Sequence, residues 1–304
     1  MKLVTIATAL ALPVAASAEF LQLEDANIYY ELSGSGNELI VLLHGGPGNA
    51  EFGLYPMQSA LTDELAKTHR VLAIHQRGAG KSTTSNQTLT KYPGDVAGVI
   101  EQVRSDYRVN STTLIGHSWG GILSNMVSAQ YPELIDKQII IASGFSMPKM
   151  LAASKLVTQA SFADRAAEIA KLDFNNFADY LQYTQYSNTA NGGIDRDFSM
   201  QEVMQQILPV VAPDANPEQI QQKIFSIVSS TYHELIQIEV NPASVQIPTL
   251  FIAGGRDSIT PYSYMRQAYE TLAAPKDFVV IDSAHHLPFM DAPEETLQAI
   301  KNFL

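Results

Sequence analysis

The sequence predicts an α/β fold in which helices cover both faces of a mostly parallel, eight-stranded β-sheet. Eight short β-rich runs recur along the 304 residues, and the later ones are almost continuously apolar, as in strands buried on both faces. Helix-like segments separate most of these runs, an alternation typical of parallel sheets. Hydrophobic residues make up 46% of the chain, which is enough for a large core.

The predicted strands follow one another along the chain, and the first two adjoin and alternate as in a hairpin at a sheet edge. They are Phe20–Glu24, Ile28–Leu32, Glu38–Leu43, Arg70–Ile74, Thr112–Ile115, Gln138–Ala142, Thr249–Ala253 and Asp277–Ile281. The helices predicted between and after them are Met57–Thr68, Val96–Arg108, Gly121–Gln130, Tyr262–Leu272 and Glu294–Phe303.

The alternation stops over residues 146–244, which contain no convincing strand. Helices are predicted there at Lys149–Lys171, Asn176–Tyr183, Met200–Leu208 and Pro217–Glu239. We interpret this segment as a helical cap inserted into a core formed by residues 19–145 and 245–304. Between Ser146 and Val240 it has six basic and eleven acidic residues, a formal charge of −5.

Residues 1–18 have the pattern of a secretory signal peptide. Lys2 precedes an apolar run, and Ala16-Ser17-Ala18 is a small-residue cleavage site before Glu19. A membrane anchor is the alternative, but the run is shorter than the roughly 20 residues of a spanning helix. We therefore expect a periplasmic or secreted protein without stable membrane insertion. The chain has no cysteine, and its net charge of −12 disfavours nucleic acid as a partner.

The segment from Gly116 to Gly120, GHSWG, matches the G-x-S-x-G pattern between a predicted strand and a predicted helix. In that context a sharp turn exposes the Ser118 hydroxyl above the carboxyl edge of the sheet. The flanking glycines are expected because a Cβ would collide with the neighbouring strand and helix. A chance match in a glycine-containing loop is the alternative, and the partners of Ser118 decide against it.

A serine nucleophile needs an orienting acid and a histidine base, and when the serine lies on this kind of turn the acid comes next in the chain and the histidine last. Asp257 follows a late strand and a glycine turn, whereas its competitor Asp282 lies close to the histidines in sequence. Two adjacent histidines, His285 and His286, follow the last strand, and only one can face Ser118.

The glycine loop His44-Gly45-Gly46-Pro47-Gly48 follows the third strand, where a backbone N–H must complete an oxyanion hole. We predict the N–H groups of Gly46 and Trp119 as donors, with His44 holding the loop. The run from His75 to Ser82 is no P-loop, because His75 stands where that motif needs glycine. Arg77 and Ser82 are expected to brace that loop, and no metal-ligand spacing is present.

These segments resemble the α/β-hydrolase superfamily, and within it the proline iminopeptidase (S33) branch. The resemblance is carried by HGGPG at 44–48, HQRGAGKS at 75–82, GHSWGG at 116–121 and HLPFMDAPE at 286–294. It implies the α/β-hydrolase fold, and alignment on Pro288 and Phe289 places the family's base on His286. His75 departs from the usual acid of that loop, and the cap lacks the family's tryptophans.

The sequence therefore predicts an exported, cofactor-independent serine hydrolase with the triad Ser118, Asp257 and His286. Its substrate would be a small ester, an amide or a short peptide, cleaved through an acyl-enzyme. A proline iminopeptidase-like aminopeptidase is the first alternative, with Glu234 and Glu239 as candidates to bind a free amine. A ligand-binding protein on a hydrolase scaffold is the second, although a binder has no need of a triad.

Overall fold

A computed structural model describes residues 17–191 and 216–304. Within those residues one sheet of nine strands runs through the molecule, in the order β1-β2-β4-β3-β6-β7-β8-β9, with β5 beside β2. The strands are β1 (Ser17–Gln22), β2 (Ala26–Ser33), β3 (Glu38–Leu43), β4 (Arg70–Ile74), β5 (Thr83–Thr84), β6 (Ser111–His117), β7 (Lys137–Ile141), β8 (Thr249–Gly254) and β9 (Lys276–Ile281).

The neighbours in the series β4-β3-β6-β7-β8-β9 are parallel. At one edge β2 pairs antiparallel with β1, β4 and β5. All eight predicted strands are present, and the mostly parallel α/β architecture is confirmed. The additional strand β5 has only two residues, too few for a periodic pattern. Because β3, β6, β8 and β9 are parallel, the loops that follow them gather at one edge.

Helices cover both faces of this sheet. One face packs against α2 (Tyr92–Tyr107), α3 (Trp119–Gln130) and α8 (Tyr262–Thr271) in the larger of two buried apolar clusters. The other face packs against α1 (Tyr55–Leu65), the short α9 (Pro288–Asp291) and α10 (Pro293–Phe303). The strands between the clusters bury side chains on both faces, which explains their continuous apolar sequences.

The described residues between β7 and β8 form four α-helices, and we refer to them as the inserted helices. They are α4 (Met147–Ser161), α5 (Ala166–Lys171), α6 (Phe177–Ala190) and α7 (Pro217–Leu235). The single helix predicted over Lys149–Lys171 is wrong, because the chain leaves helical geometry at Phe162, which has a ψ of 69°. The helix predicted to reach Glu239 ends at Leu235, where the chain extends to bond residues 145–147.

Two predicted segments fall partly or wholly outside the described residues. The helix predicted over Met200–Leu208 lies outside them, as do residues 1–16 of the predicted signal peptide. Ser17 and Ala18 belong to β1, where they pair with Leu32 and Glu31. None of the helices in residues 17–191 and 216–304 combines the length and apolar character needed to cross a bilayer.

Candidate active site

Ser118 lies on a tight turn between β6 and α3, with φ of 53° and ψ of −122°. A non-glycine residue in such a conformation costs on the order of 1–3 kcal/mol and persists only where its surroundings hold it. Here the Ser118 N–H donates to the Ile141 carbonyl at 3.0 Å, and the Ser143 hydroxyl donates to the Ser118 carbonyl at 2.5 Å. Strand β7 and the loop after it therefore fix the turn.

The two glycines that flank Ser118 are required by close backbone contacts. A Cβ on Gly116 would lie 2.3 Å from the Gly120 carbonyl oxygen, at the start of α3. A Cβ on Gly120 would lie 2.1 Å from the Leu43 carbonyl oxygen, at the end of β3. The expected collision with the neighbouring helix and strand is confirmed, and it explains the residue types of the elbow.

Ser118, His286 and Asp257 form one hydrogen-bonded chain. The His286 Nε2 lies 3.0 Å from the Ser118 Oγ, and its Nδ1 lies 2.9 Å from the Asp257 Oδ2. The Asp257 side chain is fully buried and that of His286 is 11% exposed. The structure thus brings together three residues that lie up to 168 positions apart in the sequence and on three separate loops, in a nucleophile–base–acid geometry.

The remaining oxygen of Asp257 fixes the orientation of its carboxylate. Its Oδ1 accepts hydrogen bonds from the N–H groups of Ile259 at 2.8 Å and Thr260 at 2.9 Å. Asp257 therefore also organises the turn that precedes α8. The competing acid, Asp282, is exposed to solvent, and within the described residues no hydrogen bond or ion pair joins it to His285 or His286.

The adjacent histidines have different surroundings. The backbone N–H of His285 donates to the Asp291 carboxylate at 2.8 Å, so this residue anchors the loop to α9. Only His286 faces Ser118. The backbone of His286 is held by His117, whose Nε2 donates to the His286 carbonyl oxygen at 2.8 Å. His117 lies inside the elbow sequence, but no sequence pattern assigned it this contact.

Gly46 and Trp119 are the residues predicted to supply N–H groups to an oxyanion hole. Both residues line the same cavity as Ser118, and Gly46 has a φ of 59°. Within the described residues neither N–H group has an acceptor in the protein. Two unpaired donors beside a serine suit the stabilisation of negative charge on a substrate oxygen.

The glycine loop is tied to α3 through Gln76. The Gln76 amide nitrogen donates to the His44 carbonyl at 2.8 Å, and its side-chain oxygen accepts from the Trp119 indole at 2.8 Å. His44 is buried and its Nε2 accepts the Gln76 backbone N–H at 3.3 Å. Burial lowers the pKa of His44 to about 4, so the ring is neutral at pH 7. His44 thus has the structural position expected of it.

Arg77 and Ser82 hold the neighbouring loop, as the sequence predicted. The buried Arg77 guanidinium binds both oxygens of Asp95 at 2.7 Å, and Asp25 at 3.0 Å. The Ser82 hydroxyl donates to the His75 carbonyl at 2.6 Å. No group of three histidine or carboxylate side chains suited to a metal ion occurs in the described parts of the chain.

Above Ser118 lies a cavity of about 710 Å³, between the sheet edge and the inserted helices. The inserted helices contribute apolar side chains such as Met150, Leu151 and Phe225. They also contribute serine, threonine, asparagine and tyrosine side chains. Of the residues that the structure describes, no aspartate, glutamate, lysine or arginine lines the cavity.

Glu234 and Glu239 do not reach this cavity. The Glu234 carboxylate accepts hydrogen bonds from the Thr88 hydroxyl at 2.7 Å and the Leu89 N–H at 2.8 Å. The Glu239 carboxylate pairs with Lys149, and both side chains are more than half exposed. Both residues lie near the return of the chain to the sheet, and that position directs them to an adjacent loop and to solvent.

The inserted helices also contact the loop of the candidate acid, through Ser258. The Ser154 hydroxyl donates to the Ser258 carbonyl at 2.7 Å, and the Ser258 N–H donates to the Asn191 side-chain oxygen at 3.3 Å. The Ser258 hydroxyl donates to the Ser187 carbonyl at 3.3 Å. We call these contacts the Ser258 seam. They join residues far apart in sequence, so no local motif predicts them.

Comparisons with known proteins agree with this architecture. The family described as alpha/beta hydrolase fold matches residues 38–293. A proline iminopeptidase from Heyndrickxia coagulans is 27% identical, over 90% of this chain and 93% of that protein. Among solved structures, an esterase from Exiguobacterium antarcticum aligns with a TM-score of 0.65 at 19% identity, covering 94% of this chain and 99% of the other. A serine hydrolase involved in carbazole degradation aligns with a TM-score of 0.65 at 18% identity, covering 94% and 98%.

Proposed function

Because this chain is a hydrolase that belongs to the alpha/beta hydrolase fold family, we propose that it is an exported serine esterase acting on uncharged substrates. The observation that supports this most directly is the hydrogen-bonded chain from Ser118 through His286 to Asp257. It opens into a cavity whose described lining carries no carboxylate or basic side chain other than histidine.

In the proposed reaction, the Ser118 Oγ attacks the ester carbonyl carbon while His286 Nε2 accepts the hydroxyl proton. The carbonyl oxygen becomes negative and accepts hydrogen bonds from the N–H groups of Gly46 and Trp119. As the tetrahedral intermediate collapses, His286 gives its proton to the leaving alcohol, and Ser118 remains acylated. Asp257 orients the ring and stabilises its protonated form.

The acyl-enzyme is then hydrolysed by the same groups. A water molecule attacks the acyl carbon and transfers a proton to His286 Nε2. Collapse of the second intermediate releases the carboxylic acid, and His286 returns its proton to the Ser118 Oγ. The reaction consumes one water molecule, and this sequence of proton transfers needs no cofactor.

An aminopeptidase like the proline iminopeptidases is the second candidate, favoured by the 27% identity over most of the chain. Such an enzyme must bind a free ammonium group, which is costly to bury without a counter-charge. The described cavity lining supplies none, and Glu234 and Glu239 are occupied elsewhere. We therefore favour the esterase. The third candidate is a non-catalytic binding protein, which would not need the assembled triad.

The region 146–244 is proposed to act as a cap that shapes this cavity, over a core of residues 19–145 and 245–304. Export is proposed from the pattern of residues 1–18, with a periplasmic or secreted mature protein that begins at Glu19. Expression of the full chain in a bacterial host followed by mass analysis of the purified N-terminus tests this part. A protein that retains residues 1–18 in the cytoplasm would contradict it.

The activity is tested with the purified mature protein and a matched set of substrates. We expect labelling of Ser118 by a fluorophosphonate probe and turnover of p-nitrophenyl butyrate, both abolished in Ser118→Ala. A prolyl arylamide with a free amine and its N-acetylated form separate the two enzyme candidates. Cleavage of the free amine alone would favour the aminopeptidase, and absence of labelling would favour the binder.

A further inference from the structure

The turn that carries Asp257 is held from two sides. Before Asp257, the Arg256 N–H donates to the Ala284 carbonyl at 2.9 Å, which ties the turn to the loop after β9. After Asp257, every hydrogen-bonding group of Ser258 belongs to the Ser258 seam. Its carbonyl, its N–H and its hydroxyl all bond to α4, to α6 or to the residue after α6. The inserted helices therefore hold the half of the turn that follows Asp257.

A series of hydroxyl groups ends at the Ser258 carbonyl, and that end fixes the direction of each hydrogen bond. A carbonyl can only accept, so the single proton of the Ser154 hydroxyl points to it at 2.7 Å. Tyr183 must then donate its own proton to Ser154. Thr158, whose oxygen lies 3.3 Å from the Tyr183 hydroxyl, must donate to Tyr183. We call Thr158, Tyr183 and Ser154 the hydroxyl network.

The hydroxyl network is built to hold the turn rather than to bind a ligand. Its three residues are buried, and burial raises the pKa of Tyr183, so the phenol keeps its proton at neutral pH. Tyr183 and Ser154 line the cavity, but each of their hydroxyl protons is donated to a neighbour within the protein. Hydroxyls that all donate in one direction strengthen the last bond of the series, here the one to the Ser258 carbonyl.

We infer that the hydroxyl network positions the acid of the triad. Ser154 is then a positioning residue that acts on Asp257 through the Ser258 carbonyl. The inserted helices thus do more than shape the cavity, because they fix one side of the turn on which the carboxylate lies. This inference rests on the proposed serine hydrolase function, which it extends to residues outside the triad and the oxyanion hole.

The connection from Ser258 to the carboxylate is short. The Asp257 Oδ1 accepts the N–H groups of Ile259 at 2.8 Å and Thr260 at 2.9 Å, so the carboxylate is bonded to the turn and moves with it. Its Oδ2 lies 2.9 Å from the Nδ1 of His286. Misplacement of a catalytic group by about 1 Å can lower a rate by about 10². A small shift of the turn is therefore sufficient to slow the reaction.

Ser154→Ala removes the donor to the buried Ser258 carbonyl, and a shift of the turn relieves the cost of leaving that carbonyl unsatisfied. We expect kcat for p-nitrophenyl acetate and p-nitrophenyl hexanoate to fall by the same factor, about tenfold to a hundredfold, with KM within about twofold. A change in cavity shape would instead raise KM for the larger ester alone, and would contradict the inference. Ser161→Ala is the matched control and should keep wild-type rates, because this exposed serine of α4 donates to the Val157 carbonyl of its own helix.

A double-mutant cycle with Asp257→Asn tests whether the effect passes through the acid. The measurement is the rate at which a fluorophosphonate probe labels Ser118, followed by intact mass, which a contaminating esterase cannot imitate. Ser154→Ala should slow labelling about tenfold when Asp257 is present. In Asp257→Asn it should slow labelling by less than about twofold, because the carboxylate is already lost. Equal factors in the two cases would show that Ser154 acts independently of the acid, and would overturn the inference.

Tyr183→Phe provides a second test if urea unfolding shows that Ser154→Ala does not fold. It removes the donor to Ser154 but leaves the bond from Ser154 to Ser258. We therefore expect a smaller loss in labelling rate, about two- to threefold, and only where Asp257 is present. A folded variant of either kind with wild-type rates would overturn the inference. A wild type that neither reacts with the probe nor hydrolyses an ester would instead refute the proposed serine hydrolase, and this inference with it.

Discussion

The two walls of the cavity differ in what they contribute. The wall at the sheet edge carries Ser118 and His286 on loops that follow parallel strands, each held by hydrogen bonds from a neighbouring element. The wall formed by the inserted helices carries mainly apolar and neutral polar side chains. The reactive groups thus come from the rigid sheet, and the groups that contact the rest of a substrate come from helices and from the glycine loop.

The charges of the inserted helices illustrate the same difference. Their acidic residues gave the segment a formal charge of −5, yet Glu234 binds an adjacent loop and Glu239 pairs with Lys149 at the surface. A formal charge belongs to a whole segment, whereas a substrate meets only the residues on one face of it. Variants on the two walls should therefore affect different kinetic parameters.

The largest expected effect is that of Ser118→Ala on the sheet wall. Loss of a triad nucleophile lowers kcat by a factor on the order of 10⁶, because no other group can form the acyl-enzyme. Ester hydrolysis and fluorophosphonate labelling of the purified variant measure it, with circular dichroism as the control for folding. Substantial residual turnover would refute the serine mechanism and remove the basis for the comparison.

The adjacent histidines provide the next test. His286→Ala should lower turnover nearly as far as Ser118→Ala, because it removes the base that contacts the Ser118 Oγ. His285→Ala should keep most of the activity, because the His285 ring lies 3.6 Å from the Asp291 carboxylate rather than against Ser118, and its backbone N–H still donates to Asp291. Steady-state kinetics of both variants on one ester are sufficient. If His285→Ala were the more damaging variant, the base would be His285 rather than His286.

Asp257→Asn should lower kcat by about 10⁴, a smaller loss than that of the nucleophile. The amide cannot stabilise a protonated His286, and it favours the wrong tautomer of the ring. Asp282→Asn is the matched control, since Asp282 is an exposed carboxylate in the same part of the sheet. Equal losses in both variants would indicate a general electrostatic effect rather than a specific acid.

The buried His44 predicts a dependence of stability on pH. Burial lowers its pKa to about 4 in the folded protein, against about 6.5 in an unfolded chain. Between these values the unfolded chain binds a proton that the folded protein does not, so the free energy of unfolding falls as the pH falls. The total loss from this residue is about 3 kcal/mol when the pH reaches 4.

Urea unfolding of the wild type and of His44→Gln at pH 7.5, 6 and 5 measures this term. The variant should lose less stability than the wild type over that range, although it starts from a lower value. His233→Gln, which changes an exposed histidine of the inserted helices, should follow the wild-type curve. Parallel curves for His44→Gln and the wild type would contradict the expectation.

The smallest effects are expected on the wall of the inserted helices. Glu239→Gln removes an exposed ion pair and should change stability by less than about 1 kcal/mol. Glu234→Gln weakens two hydrogen bonds to the loop at 88–89. Both variants should keep kcat/KM for neutral esters within about twofold. A rise in KM confined to a free-amine prolyl arylamide would show that a carboxylate does serve the site.

The sequence predicted the sheet more fully than the inserted helices. Buried parallel strands require continuous apolar runs, so all eight long strands could be predicted from short stretches of the sequence. The break at Phe162 was missed because helix propensity extends through it. The end of α7 at Leu235 was missed because it depends on pairing with residues 145–147, which are distant in sequence.

The site follows the same rule. Ser118, Asp257 and His286 lie in motifs whose order and context can be recognised, and the structure places their side chains in one chain of hydrogen bonds. Their catalytic roles remain predictions for the variants above. The contact of His117 with the His286 carbonyl could not be predicted, because it depends on which atoms face one another after folding.

The Ser258 seam has a consequence for protein engineering. Exchange of the segment 146–244 for that of a relative would replace Ser154, Ser187 and Asn191 together, and with them the partners of the residue next to Asp257. A chimera built to acquire a new substrate range would then also disturb the acid of the triad. Transplanted segments should therefore retain these three positions, or be combined with a redesigned turn after β8.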